Sequence, residues 1–226
     1  MRHVDIRGMT ISWYGEACFL LESGGTRVLI EPPQKESGIN PPRLKSDILI
    51  SSKLFDSENG AFVVNSPGEY EVKSVSISGI GDGDPSTSSG QANTIYTIEM
   101  DGIKMTYLGF LKKEPSNEKL EKIGNPDIVF APVGGLRHAK GLLRPADGGL
   151  KGELFDAEAA MKLINKMEPK IAIPMLYDIK GLKIKRAPIL SFIKESEAKD
   201  SPVPKLSVKK KDLVEEETKI VILEKV

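Results

Sequence analysis

The sequence predicts an α/β fold in which two β-sheets pack against each other and helices cover them on the outside. The chain has 226 residues, 39% of them hydrophobic, which is enough for one large domain with a continuous core. Strand patterns dominate the first half of the chain, whereas strand and helix patterns alternate in the second half. Many strands with few helices favour two packed sheets over a single sheet.

The first strands are predicted from apolar runs and alternation. Residues 9–19 alternate between polar and apolar and then become apolar, and residues 27–30 form a further apolar run. Residues 23–26, Ser-Gly-Gly-Thr, are typical of a hairpin turn between the two. Residues 47–51 are an apolar run bounded by polar residues, which predicts a buried strand that leads into a loop over residues 52–59.

The middle of the chain carries a long irregular segment. Residues 61–64 predict a short strand, and residues 70–78 predict a longer, half-buried strand because polar and apolar residues alternate there. Residues 79–93 are rich in Gly, Asp and Ser, so we predict an irregular insertion over all of them.

The strongest hairpin signal of the chain is the Asp101-Gly102 pair, which joins predicted strands over residues 94–99 and 103–108. The remaining strands are predicted from short apolar runs. They cover residues 127–131, 170–174 and 219–223.

Three helices are predicted in the second half. Residues 116–123 are followed by Gly124 as a stop, Asp156 is a typical N-cap, and Pro188 is a typical helix start. Residues 136–152 form a second irregular insertion, which is basic. The apolar residues that define the buried sides of the second and third helices are Ala160, Leu163, Ile164 and Met167, and Ile189, Phe192 and Ile193.

Composition narrows the classes of function. Thirty-two basic and thirty-two acidic residues cancel, so no overall field attracts nucleic acid. The single cysteine, Cys18, lies in an apolar run and is predicted to be a small core side chain rather than a nucleophile. The N-terminus shows no apolar signal region, and the chain has no run of about 18 apolar residues. We therefore expect one cytoplasmic, non-membrane domain over residues 1–226, with insertions at 79–93 and 136–152.

Several short motifs, in order and spacing, resemble the metallo-β-lactamase family, in particular its short UlaG-like hydrolases. The resemblance implies an αββα four-layer sandwich, in which two mixed β-sheets are flanked by helices. It also implies hydrolysis by water that zinc, manganese or iron activates. The motifs lie at residues 11–19, 28–32, 66–70, 107–109, 127–135 and 173–177.

The ligand positions that the resemblance implies hold other residues in this chain. The family has a His-x-His-x-Asp-His loop after a strand, a bridging aspartate and a late histidine. Glu16 occupies the position of the histidine in the family's Gly-His-Ala-Cys-Phe, and Glu31 occupies that of an aspartate that supports the ligands. The ligand positions themselves are occupied by Ser52, Leu54, Asp56, Ser57, Phe110 and Leu176.

The histidine count leads to the same expectation without any alignment. The chain has two histidines, His3 and His138, whereas the family site uses about five, and apolar side chains offer a metal no lone pair. We therefore expect no metal cofactor and no catalytic residues. The expected function is that of an inactive pseudo-hydrolase that serves as a binding, scaffold or structural subunit, through a protein partner or self-association.

Two alternatives stay open from the sequence. The chain could hydrolyse a phosphoester or lactone through a rebuilt carboxylate metal site, although Asp56 alone is also explained as a loop-capping carboxylate. It could instead bind RNA or another anion through the basic loop 137–151. The residues of the first alternative are Glu16, Glu31, Asp56, Asp82 and Asp84, and those of the second are Arg137, His138, Lys140 and Arg144.

Overall fold

The fold consists of two β-sheets packed face to face. The computed structural model describes residues 8–52, 60–82, 93–136, 154–214 and 217–226. The first sheet has six strands in the order β12-β1-β2-β3-β4-β5, with β3, β4 and β5 parallel to one another. These strands are β1 (Met9–Trp13), β2 (Phe19–Ser23), β3 (Thr26–Ile30), β4 (Ile48–Ile50), β5 (Phe62–Val64) and β12 (Leu206–Val208).

The second sheet has seven strands in the order β13-β11-β10-β9-β8-β7-β6. Its half from β13 to β9 is parallel, and its half from β9 to β6 is an antiparallel meander. These strands are β6 (Gly68–Val72), β7 (Val75–Asp82), β8 (Asn93–Met100), β9 (Ile103–Tyr107), β10 (Ile128–Pro132), β11 (Ile171–Met175) and β13 (Lys219–Ile220).

The main core lies between the two sheets. Phe19 of β2 meets Phe130 of β10 with ring centroids 4.6 Å apart, and Trp13 of β1 meets Tyr177 at 4.9 Å. Burial of one such ring stabilises the fold by about 1.5–3 kcal/mol. The opposite face of the first sheet carries a smaller apolar cluster, and Cys18 is buried in it as predicted. The buried members of this cluster are Cys18, Leu20, Leu29 and Leu49.

Three helices follow the predicted positions: α1 (Asn117–Ile123), α2 (Ala157–Met167) and α3 (Ile189–Ser196). The Asp156 side chain caps α2 by accepting a hydrogen bond from the Ala159 N–H, at 2.9 Å. Helix α2 packs against β10 and α3, and its buried side confirms the predicted one. In the described part of the chain, no helix is long and apolar enough to cross a membrane.

The prediction of one strand over residues 70–78 was wrong, because β6 and β7 form a hairpin there. Lys73 and Ser74 make its two-residue turn with φ of 50° and 64°, a left-handed conformation that Gly, Asn and Asp adopt more readily. The turn has none of those residues, so the polar and apolar alternation over residues 70–78 predicted one strand. The spacing of three between Val72 and Val75, which are partners across the turn, was the available signal.

The predicted insertion over residues 79–93 was too long. Residues 79–82 continue β7, and Asn93 begins β8, while residues 83–92 lie outside the described part. Gly79 serves a close approach of chain segments, since a Cβ there would lie 2.9 Å from the Tyr96 ring and 3.2 Å from the Ser66 carbonyl oxygen. The predicted last strand was also too long, because β13 ends at Ile220. The second insertion lies outside the described residues except for Leu136.

Candidate functional site

The described ligand positions of the resemblance, Ser52, Phe110 and Leu176, and the supporting position Glu31 follow the carboxyl ends of parallel strands. Glu31 follows β3, Ser52 follows β4 by two residues, and Leu176 follows β11 directly. Phe110 lies three residues beyond β9. Because the carboxyl ends of neighbouring parallel strands share one edge, this is where open α/β sheets place their ligands.

Glu16, in the turn between β1 and β2, ties this edge of one sheet to the other sheet. Its backbone carbonyl accepts a hydrogen bond from the Leu176 N–H at 3.2 Å. The same carbonyl accepts a second hydrogen bond from Trp13 Nε1 at 3.0 Å. The two sheets therefore meet through Glu16 at this edge. We call this edge the cleft, and its residues are Glu16, Glu31, Ser52, Phe110 and Leu176.

Left-handed backbone marks the same cleft. Glu16, Glu31 and Leu176 have φ of 51°, 41° and 62°, and all three residues are buried. The other described non-glycine residues with positive φ lie in two-residue turns or at helix ends, where this conformation is common. Since such strain typically collects at functional sites, these three residues mark this edge as the candidate site.

The Glu16 carboxylate is paired with Arg186. Arg186 Nη2 lies 3.1 Å from Oε2, and Arg186 Nε lies 3.4 Å from Oε1. The side chains are 8% exposed for Glu16 and 15% exposed for Arg186. Burial raises the pKa of Glu16, and the charge and hydrogen bonds of Arg186 lower it in part. The acid is thus held at the cleft by a cation from a loop distant in sequence.

Glu31 links β3 to the loop after β4. Its N–H donates to the Ile50 carbonyl at 2.8 Å, and its carboxylate accepts from the Ser52 N–H. Burial raises the pKa of Tyr107 well above its usual range, and the charge of Glu31 raises it further. Burial likewise raises the pKa of Tyr96 to about 12. Burial therefore disfavours the phenolate form of both side chains.

The two apolar residues at ligand positions have different settings. The Leu176 side chain is fully buried in the main core. Phe110 is partly buried, and its N–H donates to Asn93 Oδ1 at 2.8 Å. Gly109 permits this bond, because a Cβ there would lie 2.3 Å from the same oxygen. Neither side chain has a lone pair to give, so these positions do not fit the metal of the resemblance.

The remaining acidic candidate, Asp82, also has its own cation. Its side chain is 4% exposed, and Lys119 Nζ of α1 lies 2.7 Å from Oδ1. Glu16 and Asp82 are therefore each bound to a different basic residue. Within the described ranges, no group of three or more His, Cys, Asp or Glu side chains is placed to hold a metal ion.

Several predicted site residues lie outside the described residues. The sequence also did not predict the basic residues that pair with Glu16 and Asp82. Arg186 and Lys119 are 170 and 37 residues away from their partners, and no local pattern links them. The predicted residues outside the described part are Leu54, Asp56, Ser57, Asp84, Arg137, His138, Lys140 and Arg144.

Comparisons with solved structures give the same architecture. A candidate Zn-dependent hydrolase of the metallo-β-lactamase superfamily from Thermotoga maritima is 27% identical, with a TM-score of 0.71 over 96% of this chain and 98% of that chain. A metallo hydrolase from Ignicoccus hospitalis is 15% identical, with a TM-score of 0.62 over 96% and 95%. An isothiocyanate hydrolase from Delia radicum gut bacteria is 12% identical, with a TM-score of 0.61 over 96% and 97%.

Sequence comparison agrees with the structural similarity. No curated protein gives a significant match to the chain. The model of the beta-lactamase superfamily domain matches residues 10–176, which include both sheets' parallel strands except β13 and all described family ligand positions, but not Arg186. With most of its length matched, the chain belongs to the beta-lactamase superfamily and has the metallo-β-lactamase fold.

Proposed function

We propose that this chain is a metal-free member of its superfamily that has lost hydrolysis and acts as a binding, scaffold or structural subunit. The observation that carries the proposal is the ion pair between Glu16 and Arg186. It commits the one described acid at a family histidine position to a cation of the protein itself. The cleft face would then serve to bind a protein partner or a second copy.

The physical reason is competition between cations. A divalent ion that used Glu16 would have to displace the guanidinium from a carboxylate that is 8% exposed. Arg186 would then lie unpaired beside a second positive charge, in a place where water screens charges poorly. Leu176, fully buried at another ligand position, would contribute packing and no ligand atom.

A second candidate is a hydrolase with a rebuilt site. The 27% identity to the Thermotoga maritima protein favours it. It would need Asp56 and Asp84, which lie outside the described residues, together with release of Glu16 from Arg186 or of Asp82 from Lys119. The substrate would be a phosphoester or a lactone. For either function we propose the cytoplasm, since a chain with the single cysteine Cys18 can form no internal disulfide.

Thermal unfolding with and without a chelator separates the two candidates. We expect no change of Tm when EDTA is added to the purified protein, nor when Zn²⁺, Mn²⁺ or Mg²⁺ is added afterwards. A metal at 100 times its Kd would instead add about 2.7 kcal/mol, or roughly 5–11 °C for a domain of this size. Such a shift, together with metal-dependent cleavage of a lactone or a phosphodiester, would contradict the proposal.

A further inference from the structure

The outermost strand of the seven-stranded sheet, β6, is paired on one side only within the described part of the chain. Its two-residue turn makes Val72 and Val75 a hydrogen-bonded pair with β7. By alternation, Tyr70 and Gly68 also bond to β7. The N–H and C=O groups of Glu69 and Glu71 therefore point outward from the sheet.

One face of this edge is acidic. Glu69 and Glu71 lie opposite Ser78 and Ser76 of β7, and Glu99 of β8 lies opposite Ser76. Side chains of paired residues share one face of a sheet, so all three glutamates lie on the same face. They border a shallow groove of about 330 Å³.

The other face of the edge is aromatic. Tyr70 of β6 meets Phe62 of β5, the outermost strand of the first sheet, with ring centroids 6.3 Å apart at 68°. Phe62 is 46% exposed, and the Tyr70 hydroxyl lies 2.8 Å from Ser66 Oγ. The open edges of both sheets thus lie side by side with a partly exposed aromatic pair between them.

The glutamates decide what can pair with this edge. Only Glu69 and Glu71 carry outward backbone groups, so antiparallel pairing of β6 with a second copy of itself would place glutamate opposite glutamate. Like charges directly opposite each other destabilise a strand pair, whereas opposite charges stabilise it. The edge is therefore unsuited to its own copy and suited to a basic strand.

We propose that β6 is a docking edge for an extended segment of a partner protein in which Lys or Arg alternates with apolar residues. The segment adds an eighth strand through the outward groups of Glu69 and Glu71. Its basic side chains lie opposite these two glutamates, and its apolar side chains face Tyr70 and Phe62. This edge does not include the cleft, so the proposal is independent of whether hydrolysis is lost.

The test uses a labelled eight-residue peptide that alternates Lys and Val, with binding measured by fluorescence anisotropy. One comparison peptide alternates Glu and Val. The other has the Lys-Val sequence with N-methyl groups on its Lys amides, which the proposal bonds to the edge. The variant is E69K/E71K, and the matched control is E36K/E121K, which makes the same change of charge at two exposed residues elsewhere. Hydrogen exchange of the Glu69 and Glu71 amides is measured at each peptide concentration of the same titration.

We expect the Lys-Val peptide to bind the wild-type chain and to protect both amides. Its affinity should fall at least tenfold in E69K/E71K and less than twofold in the control, and E69K/E71K should prefer the Glu-Val peptide. N-methylation should abolish binding. The proposal is overturned if the wild type does not bind, if N-methylation has no effect, or if both double variants lose affinity equally. Protection of both amides by self-association without peptide would also overturn it.

Discussion

Replacing Arg186 by Met tests how much the ion pair with Glu16 contributes to the free energy of unfolding. In R186M the Glu16 carboxylate, 8% exposed, loses both hydrogen bonds and its only described ion-pair partner. Loss of one partner of a buried pair typically costs about 3–5 kcal/mol. Because Arg186 is 15% exposed and water can enter where it stood, we expect the lower end, about 3 kcal/mol at pH 7.

The stability lost in R186M should depend on pH. Burial already raises the pKa of Glu16 above 4.5, and Arg186 is what lowers it, so R186M should raise this pKa further. The folded state then binds the proton more tightly than the unfolded state, and stability falls as pH rises from about 4.5 through the folded-state pKa. The deficit of R186M should therefore be small near pH 4 and largest above neutrality.

Urea unfolding between pH 4 and 8 measures the loss of stability and its pH dependence. In thermal unfolding, the Tm of R186M should fall by roughly 6–12 °C at pH 7. K185M is the matched control, since it removes one charge from an exposed neighbour. E16Q/R186M should recover most of the lost stability, because no charge is then left buried. The reasoning is refuted if R186M and K185M are equally stable, or if the deficit of R186M does not change with pH.

Three further substitutions test the packing, the capping and the acid sensitivity of the fold. L176A should lose about 2–5 kcal/mol in urea unfolding because it leaves a cavity, whereas I184A, at a 39% exposed position, should lose under about 0.5 kcal/mol; equal losses would disprove the filled cleft. D156A should cost about 1 kcal/mol and D156N much less, since Asn also caps α2; a D156N as unstable as D156A would rule out capping. A hydrogen bond from Lys73 and one from the Arg27 N–H lower the pKa of Asp47, so its contribution is present at neutral pH and lost as pH falls below 3.8. D47N should lower stability at pH 7 and weaken acid unfolding, and an unchanged acid transition would contradict this.

Local patterns predicted most of the elements. The apolar stripe and the Asp156 cap of α2 need only the 3.6-residue period and one N-cap side chain, and both are found at the predicted residues. The Asp101-Gly102 turn was also predictable locally, because Asp and Gly favour the positive φ that the turn needs. The fold class followed from the order of short motifs, each weak alone, and the superfamily match confirms it.

Long-range chemistry at the cleft was not predictable from such patterns. The pairing of Glu16 with Arg186 joins residues 170 positions apart, and Arg186 lies in a segment without a periodic pattern. The turn at Lys73 and Ser74 was missed because their φ values are set by the hairpin rather than by residue preference. Gly79 looked like a turn residue, although it accommodates the nearby Ser66 and Pro67.

The metal content of the natively purified protein tests the central claim most directly. Inductively coupled plasma mass spectrometry, calibrated to protein concentration, gives the number of Zn, Mn, Fe and Mg ions per chain. We predict well under one ion per chain for the wild type and the same for L176A, which leaves the Glu16–Arg186 pair in place. One ion or more per chain, lost on dialysis against EDTA together with thermal stability, would contradict the loss of the metal site.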